Sequence, residues 1–194
     1  MARAAGRPRS ERAERAILTA TIELVASGMT VSEVSIEAIA ARAGVGKTTI
    51  YRWWSNKEDL VADALATLKT PVPPLAGRSV REDLIALLDV MRIDSANVDT
   101  RCVMNIAMSE SDRYPELFAK FRKRAIEPRR RAIVEVLGRG ARTGELRADI
   151  DVTLAMASLT GGMLWHTKWA PDKGDLPADL AARIVDQILA GLAG

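Results

Sequence analysis

Apolar residues recur every three to four positions through almost the whole chain, and the strict alternation that marks strands is scarce. Ile17, Thr21, Leu24 and Val25 share one face of a first helix, with Ser10 as the expected N-cap and Gly28 as the stop. Ile36, Ile39, Ala40 and Ala43 define a second helix that starts near Ser35 and ends at Gly44, where a left-handed residue is expected. A short third helix follows over residues 47–53, and after Ser55 and Asn56 the run "KEDLVADALATL" begins a fourth. "TPVPPLAG", residues 70–77, has three prolines in four positions and cannot continue a helix.

Beyond it the pattern is helical again. "SVREDLIALLDVMRI" is amphipathic and "CVMNIAMSE" is shorter. "YPELFAKFRKRAIEPRRRAIVEVLGRG" is long, with Pro128 predicting a kink or a break. Residues 152–168 are almost wholly apolar, and in "ADLAARIVDQILAGL" Leu180, Ile184, Ile188 and Leu192 stand four apart. The expected fold is all-α. A flexible basic arm covers 1–9, a small helical domain 10–70, a Pro-rich junction 71–77, and a larger helical domain 78–194.

Composition narrows the picture. With 194 residues, 48% of them apolar, the chain can bury a core. The net charge is only +3, but Arg3, Arg7, Arg9 and Arg12 crowd the start against a single acid, Glu11. Such an arm suits a polyanion. One cysteine excludes an internal disulfide framework and fits a reducing cytoplasm. No secretory signal is apparent, and the uncharged stretch 152–167 is shorter than a bilayer span of about 20 residues. It reads as a buried helix of a soluble cytoplasmic protein, with no membrane partner.

The stretch Ala41 to Thr48, "ARAGVGKT", comes close to a nucleotide phosphate loop. That loop needs a buried strand to deliver the chain into it, and "SIEAIAARA" has a helix period. An amphipathic helix, a Gly turn and a short second helix instead make a helix-turn-helix, whose second helix enters the DNA major groove. Thr48 and Thr49 would then reach a base or a phosphate, Gly46 and Lys47 would open the helix toward phosphate, and Tyr51, Arg52 and Lys57 would reach the backbone. The candidate DNA-contacting set is Arg7, Arg9, Ser35, Gly46, Lys47, Thr48, Thr49, Tyr51, Arg52 and Lys57. Ile50 and Trp54 read as the packed base beneath it.

The string "ILTATIELVASGMTVSEVSIEAIAARAGVGKTTIYRWWSNKEDLV" resembles the DNA-binding domain of TetR-family transcriptional regulators. Ile17-Leu18, Gly28, Ile39-Ala40, Ala43-Gly44-Val45, Thr49-Ile50-Tyr51 and Lys57-Glu58 carry the likeness. Gly46-Lys47-Thr48 departs from the usual Ser-Lys-Gly or Ser-Arg-Pro. The resemblance implies a dimeric, ligand-responsive regulator, a repressor in this reading, acting on a palindromic duplex operator. A small apolar or aromatic effector would bind its C-terminal domain.

Met91, Met104, Met108, Phe118, Phe121, Met156, Met163, Trp165, His166 and Trp169 are candidate lining of an effector pocket, with plain core as the alternative. The last two helices, carrying Ala157/Gly161 and Ser158/Gly162, are the dimer candidate. Arg122, Lys123, Arg124, Arg129, Arg130 and Arg131 read as a solvated helix face. Glu82-Asp83 and Asp149/Asp151 read as helix-start charges. A lone histidine builds no metal site, and no nucleophile-base pair is apparent, so neither a cofactor nor an enzymatic activity is expected. The rival readings are a P-loop nucleotide hydrolase and a helical scaffold protein.

Overall fold

The computed structural model describes residues 7–169 and 176–191. Among them the elements are all helical: α1 (Arg7–Ala26), α2 (Ile36–Ala43), α3 (Lys47–Tyr51), α4 (Lys57–Thr67), α5 (Val80–Ala96), α6 (Val98–Ser109), α7 (Pro115–Phe121), α8 (Glu127–Thr143), α9 (Val152–Lys168) and α10 (Leu180–Leu189). The chain forms two compact units. The first joins residues up to Lys69 with Asp99–Ala125, and the second joins Thr70–Val98 with Ile126 onward. This differs from a simple division at the proline-rich segment, because residues 99–125 return to the N-terminal helices.

The reason for that return lies in the first core. Val103 and Met104 of α6 and Leu117 and Phe121 of α7 bury with Ile17, Ile39, Ile50, Leu60 and Leu65. Charge aligns the same contact. Asp59 and Asp63, one turn apart on α4, pair with Lys120 at 2.5 Å and Arg124 at 2.7 Å, themselves one turn apart. Helix α1 starts at Arg7, three residues before the expected cap at Ser10. Arg7 and Arg9 therefore lie within helical backbone, not in an extended arm. The remainder of that arm, residues 1–6, falls outside the described residues.

In the second unit, α5 packs against α8, α9 and α10 around Leu84, Leu87, Leu88, Ile133, Leu137, Leu159, Met163 and Val185. Gly140 of α8 sits where a Cβ would lie 2.7 Å from Val80 and 2.8 Å from Leu146, so only glycine permits this approach. Asp83 stands in the first turn of α5, as expected of a helix-start charge, but it is also buried, as is Asp94 further along the helix. Asp83 accepts from the Gly77 N–H at 3.2 Å and pairs with Arg139 at 2.7 Å. Asp94 accepts from the Thr70 N–H at 3.0 Å and pairs with Arg129 at 3.2 Å, while Arg129 also donates to the Thr70 carbonyl. Both ends of the proline-rich segment are thus held by one helix.

One further expectation is refined and another corrected. The α-helical run is interrupted next to Pro128 by a change of hydrogen-bond register and not by a loop. A π-helical turn, Arg122–Ile126, precedes it, and Pro128 stands in the first turn of α8, where a missing N–H costs little. Helix α9 is not a buried helix. Ala155, Leu159 and Met163 face the core, while Leu154, Leu164, Trp165 and Trp169 are exposed. Asp151 caps it, its Oδ1 accepting the Leu154 N–H at 2.9 Å.

Candidate DNA-binding site

The site is built on α2, a turn and α3. Ser35 caps α2, its Oγ accepting the Ala38 N–H at 3.1 Å. Ile36, Ile39 and Ala40 anchor that helix in the core. The chain then reverses at Gly44, whose φ of 66° lies in the left-handed region, with its N–H directed at the Ala40 and Ala41 carbonyls. Gly46 precedes α3 in an extended conformation open to other residues. In α3, Ile50 is fully buried, and Trp54 just beyond is 5% exposed. The Trp54 indole N–H donates to Asp63 at 2.8 Å, so the base of α3 is tied to α4.

Above this base Lys47, Thr48, Tyr51 and Arg52 are exposed and Thr49 is half-buried. The Arg52 guanidinium lies 5.9 Å from the Trp53 ring centroid. α2 occupies the place where a phosphate loop needs a strand, and this excludes the nucleotide-site alternative.

Two of the candidate cations have partners within the protein. Lys57 turns inward, its ammonium donating to the Val31 carbonyl at 2.8 Å. It secures the α1–α2 connection, whose Val31 N–H in turn donates to Glu110 at 2.6 Å. Thr30 and Glu33 cap that connection reciprocally, and the Thr30 N–H holds the Glu33 carboxyl below its ordinary range. Lys47 is paired with Glu37 at 2.8 Å. Their hydrogen bond raises the ammonium's pKa and lowers the carboxyl's, so both favour the ionised pair. These partners were missed because Glu37 and Glu110 carry no motif signal.

The effector-pocket candidates divide between the two units. Met104 and Phe121 are buried in the first core, Phe118 packs against it, and Met108 is exposed. Met163 is buried in the second core, Met91 and Met156 pack against it, and Trp165 and Trp169 are exposed. The two indole rings lie 6.4 Å apart, tilted by 41° to one another. His166 lines an open groove of about 630 Å³ with Ser158, Gly162, Arg183, Ile184 and Gln187. The basic cluster is not uniformly solvated either. Arg122, Lys123, Arg130 and Arg131 are exposed; Arg124, also exposed, pairs with Asp63, and Arg129 is half-buried against Asp94.

Comparison with known proteins agrees with this geometry. Residues 17–64 match the family model of bacterial regulatory proteins, tetR family, and residues 74–188 match the tetracyclin repressor-like C-terminal domain. The HTH-type transcriptional regulator YdeS of Bacillus subtilis (strain 168) is 32% identical over 83% of this chain and 81% of its own. AqdR of Rhodococcus erythropolis, another HTH-type transcriptional regulator, is 28% identical over 94% and 86%. The flavonoid-responsive regulator FrrA superposes with a TM-score of 0.70 at 21% identity, covering 93% of this chain and 95% of that one. FadR of Bacillus subtilis in complex with stearoyl-CoA gives 0.67 at 20% identity, covering 92% and 98%. The chain belongs to the TetR family of transcriptional regulators. It is a ligand-responsive, helix-turn-helix, DNA-binding regulator. No described helix is long and apolar enough to cross a membrane.

Proposed function

We propose that this regulator is a cytoplasmic, non-enzymatic repressor that binds a palindromic operator as a two-fold homodimer and leaves it when a small apolar or aromatic effector binds. The observation that carries the DNA half is the exposed set Thr48, Tyr51 and Arg52 above buried Ile50 and Trp54. Thr48 and Thr49 read base edges or phosphate, Tyr51 and Arg52 hold the backbone, and Ser35 and Gly46 approach phosphate through their backbone. Arg7 and Arg9 add cations at the start of α1. Lys57 acts by fixing the α1–α2 connection.

Self-association rests on α9 and α10. Leu154, Ala157, Ser158, Gly161, Leu164 and Trp165 form an exposed stripe at helical spacing, small in the middle and large at the ends. Two copies crossing near Gly161 would cover it, and a two-fold dimer suits a palindromic operator, whose half-sites lie about 34–36 Å apart. Repression is favoured by a 29% identical relative, the DNA-binding transcriptional repressor TetR of Mycobacteroides abscessus. The effector class is favoured by the stearoyl-CoA bound to one structural neighbour and the flavonoid response of another.

The test is a gel shift with the DNA flanking the protein's own gene. Wild type should bind, and Arg52→Ala should bind about tenfold more weakly with an unchanged melting temperature. Equal affinity of the two proteins would reject the contact assignment.

A further inference from the structure

The cations of the recognition surface are not equally available. Between residues 42 and 52, Arg42 pairs with Glu23 at 2.6 Å and Lys47 with Glu37 at 2.8 Å, while Arg52 lies over the Trp53 ring. The Glu37–Lys47 pair is the one inside the α2–α3 motif. Glu37 stands in the first turn of α2 and Lys47 is the first residue of α3. Both side chains remain more than half exposed, at 66% and 54%. As it stands in the free protein the pair carries no net charge.

That neutrality has a measurable meaning. Binding to duplex of arbitrary sequence comes almost wholly from cations that neutralise phosphates and release condensed counterions. Each phosphate so neutralised contributes about 0.9 to the slope of log Kobs against log[salt]. A lysine already neutralised by its own protein contributes nothing to that count.

We propose that Glu37 is an internal counter-ion to Lys47, a determinant of DNA affinity that withholds one cation from the phosphate backbone and so lowers sequence-independent binding. This rests on the reading of α2–α3 as the DNA-contacting surface. It assigns Lys47 a role opposite to that of a phosphate ligand, and leaves discrimination to Thr48, Tyr51 and Arg52.

The experiment is a KCl titration of binding to a random-sequence 30-base-pair duplex, with wild type, Glu37→Gln, Lys47→Met and the double variant. All the substitutions are on exposed side chains, and melting curves check that the folds are equal. Glu37→Gln should steepen the slope by about 0.9, which makes its loss of affinity between 50 and 200 mM KCl about 3.5-fold larger than that of wild type. Lys47→Met leaves the Glu37 carboxylate uncompensated opposite phosphate and should flatten the slope, and the double variant, again with no net charge there, should return to the wild-type slope. If Lys47 instead contacts phosphate in the wild-type complex, Glu37→Gln will leave the slope unchanged and the double variant will be flatter than wild type. Either of those results overturns the proposal while DNA binding stands. Failure of wild type to bind any duplex overturns the regulator's contact surface and this inference together.

Discussion

The two units place charge and apolar surface in opposite ways. The first keeps most of its large apolar residues inside, with Tyr51 and Met108 the exceptions, and carries ion pairs such as Glu23–Arg42 and Glu37–Lys47 on its surface. The second buries Asp83 and Asp94 beneath half-buried arginines, and it turns Leu154, Leu164, Trp165 and Trp169 to solvent. A surface that meets a polyanion works with side chains that can exchange partners in water. A surface that meets another protein works by losing water, so it can be apolar, and the two buried carboxylates of that unit serve its interior.

Three measurements can break this contrast. The largest effect is expected at the buried pair. Asp94→Ala leaves Arg129 and the Thr70 N–H without their acceptor and should cost about 3–5 kcal/mol in denaturant unfolding of the second unit. A loss below about 1 kcal/mol would show that the pair is not structural. Next comes the exposed apolar face. If α9 forms the proposed two-fold interface, Trp165→Ala removes two indoles from it at about 1–2 kcal/mol each, and the dimer dissociation constant should rise roughly 30- to 1,000-fold by analytical ultracentrifugation. An unchanged constant would remove α9 from the interface.

The smallest effect is a control within the second unit. Arg81 and Asp186 form an exposed pair at 2.6 Å between α5 and α10. Arg81→Ala should lower the melting temperature by only about 1–2 °C. The Arg81 hydrogen bond holds Asp186 below its ordinary carboxyl range. The pair's contribution is therefore present above the unfolded carboxyl's pKa and is lost as pH falls through the lower folded value. At that acidity variant and wild type should melt together. A difference that grew on acidification would reverse the sign and reject the assignment.

What could be read from the sequence follows from how local each signal is. The α2–Gly44–α3 turn was legible because its cap, its apolar spacing and its left-handed glycine lie within ten residues. Ile50 and Trp54 as the packed base were legible for the same reason. The partners of Asp83 and Asp94 were not, since Arg139 and Arg129 lie 56 and 35 positions away. Helix α9 misled because an apolar run states that water must be excluded but not which chain excludes it. The return of residues 99–125 to the first core rests on Leu117 and Phe121, whose apolar character suits either unit. The pocket candidates dispersed for the same reason: Met and Phe say core or cavity equally well.

The fastening of residues 70–77 carries a dimensional consequence. Asp83 and Asp94 are eleven positions apart, almost whole turns, so both carboxylates lie on one side of α5, about 16.5 Å from each other. Seven peptide steps in the extended form natural to prolines reach about 22 Å. The tether therefore has less than two residues of slack over its two anchorage points. Where ordinary loops drift in length between relatives, this one behaves as a ruler: it can lose a single residue, and losing two would detach it from one end of the helix it measures.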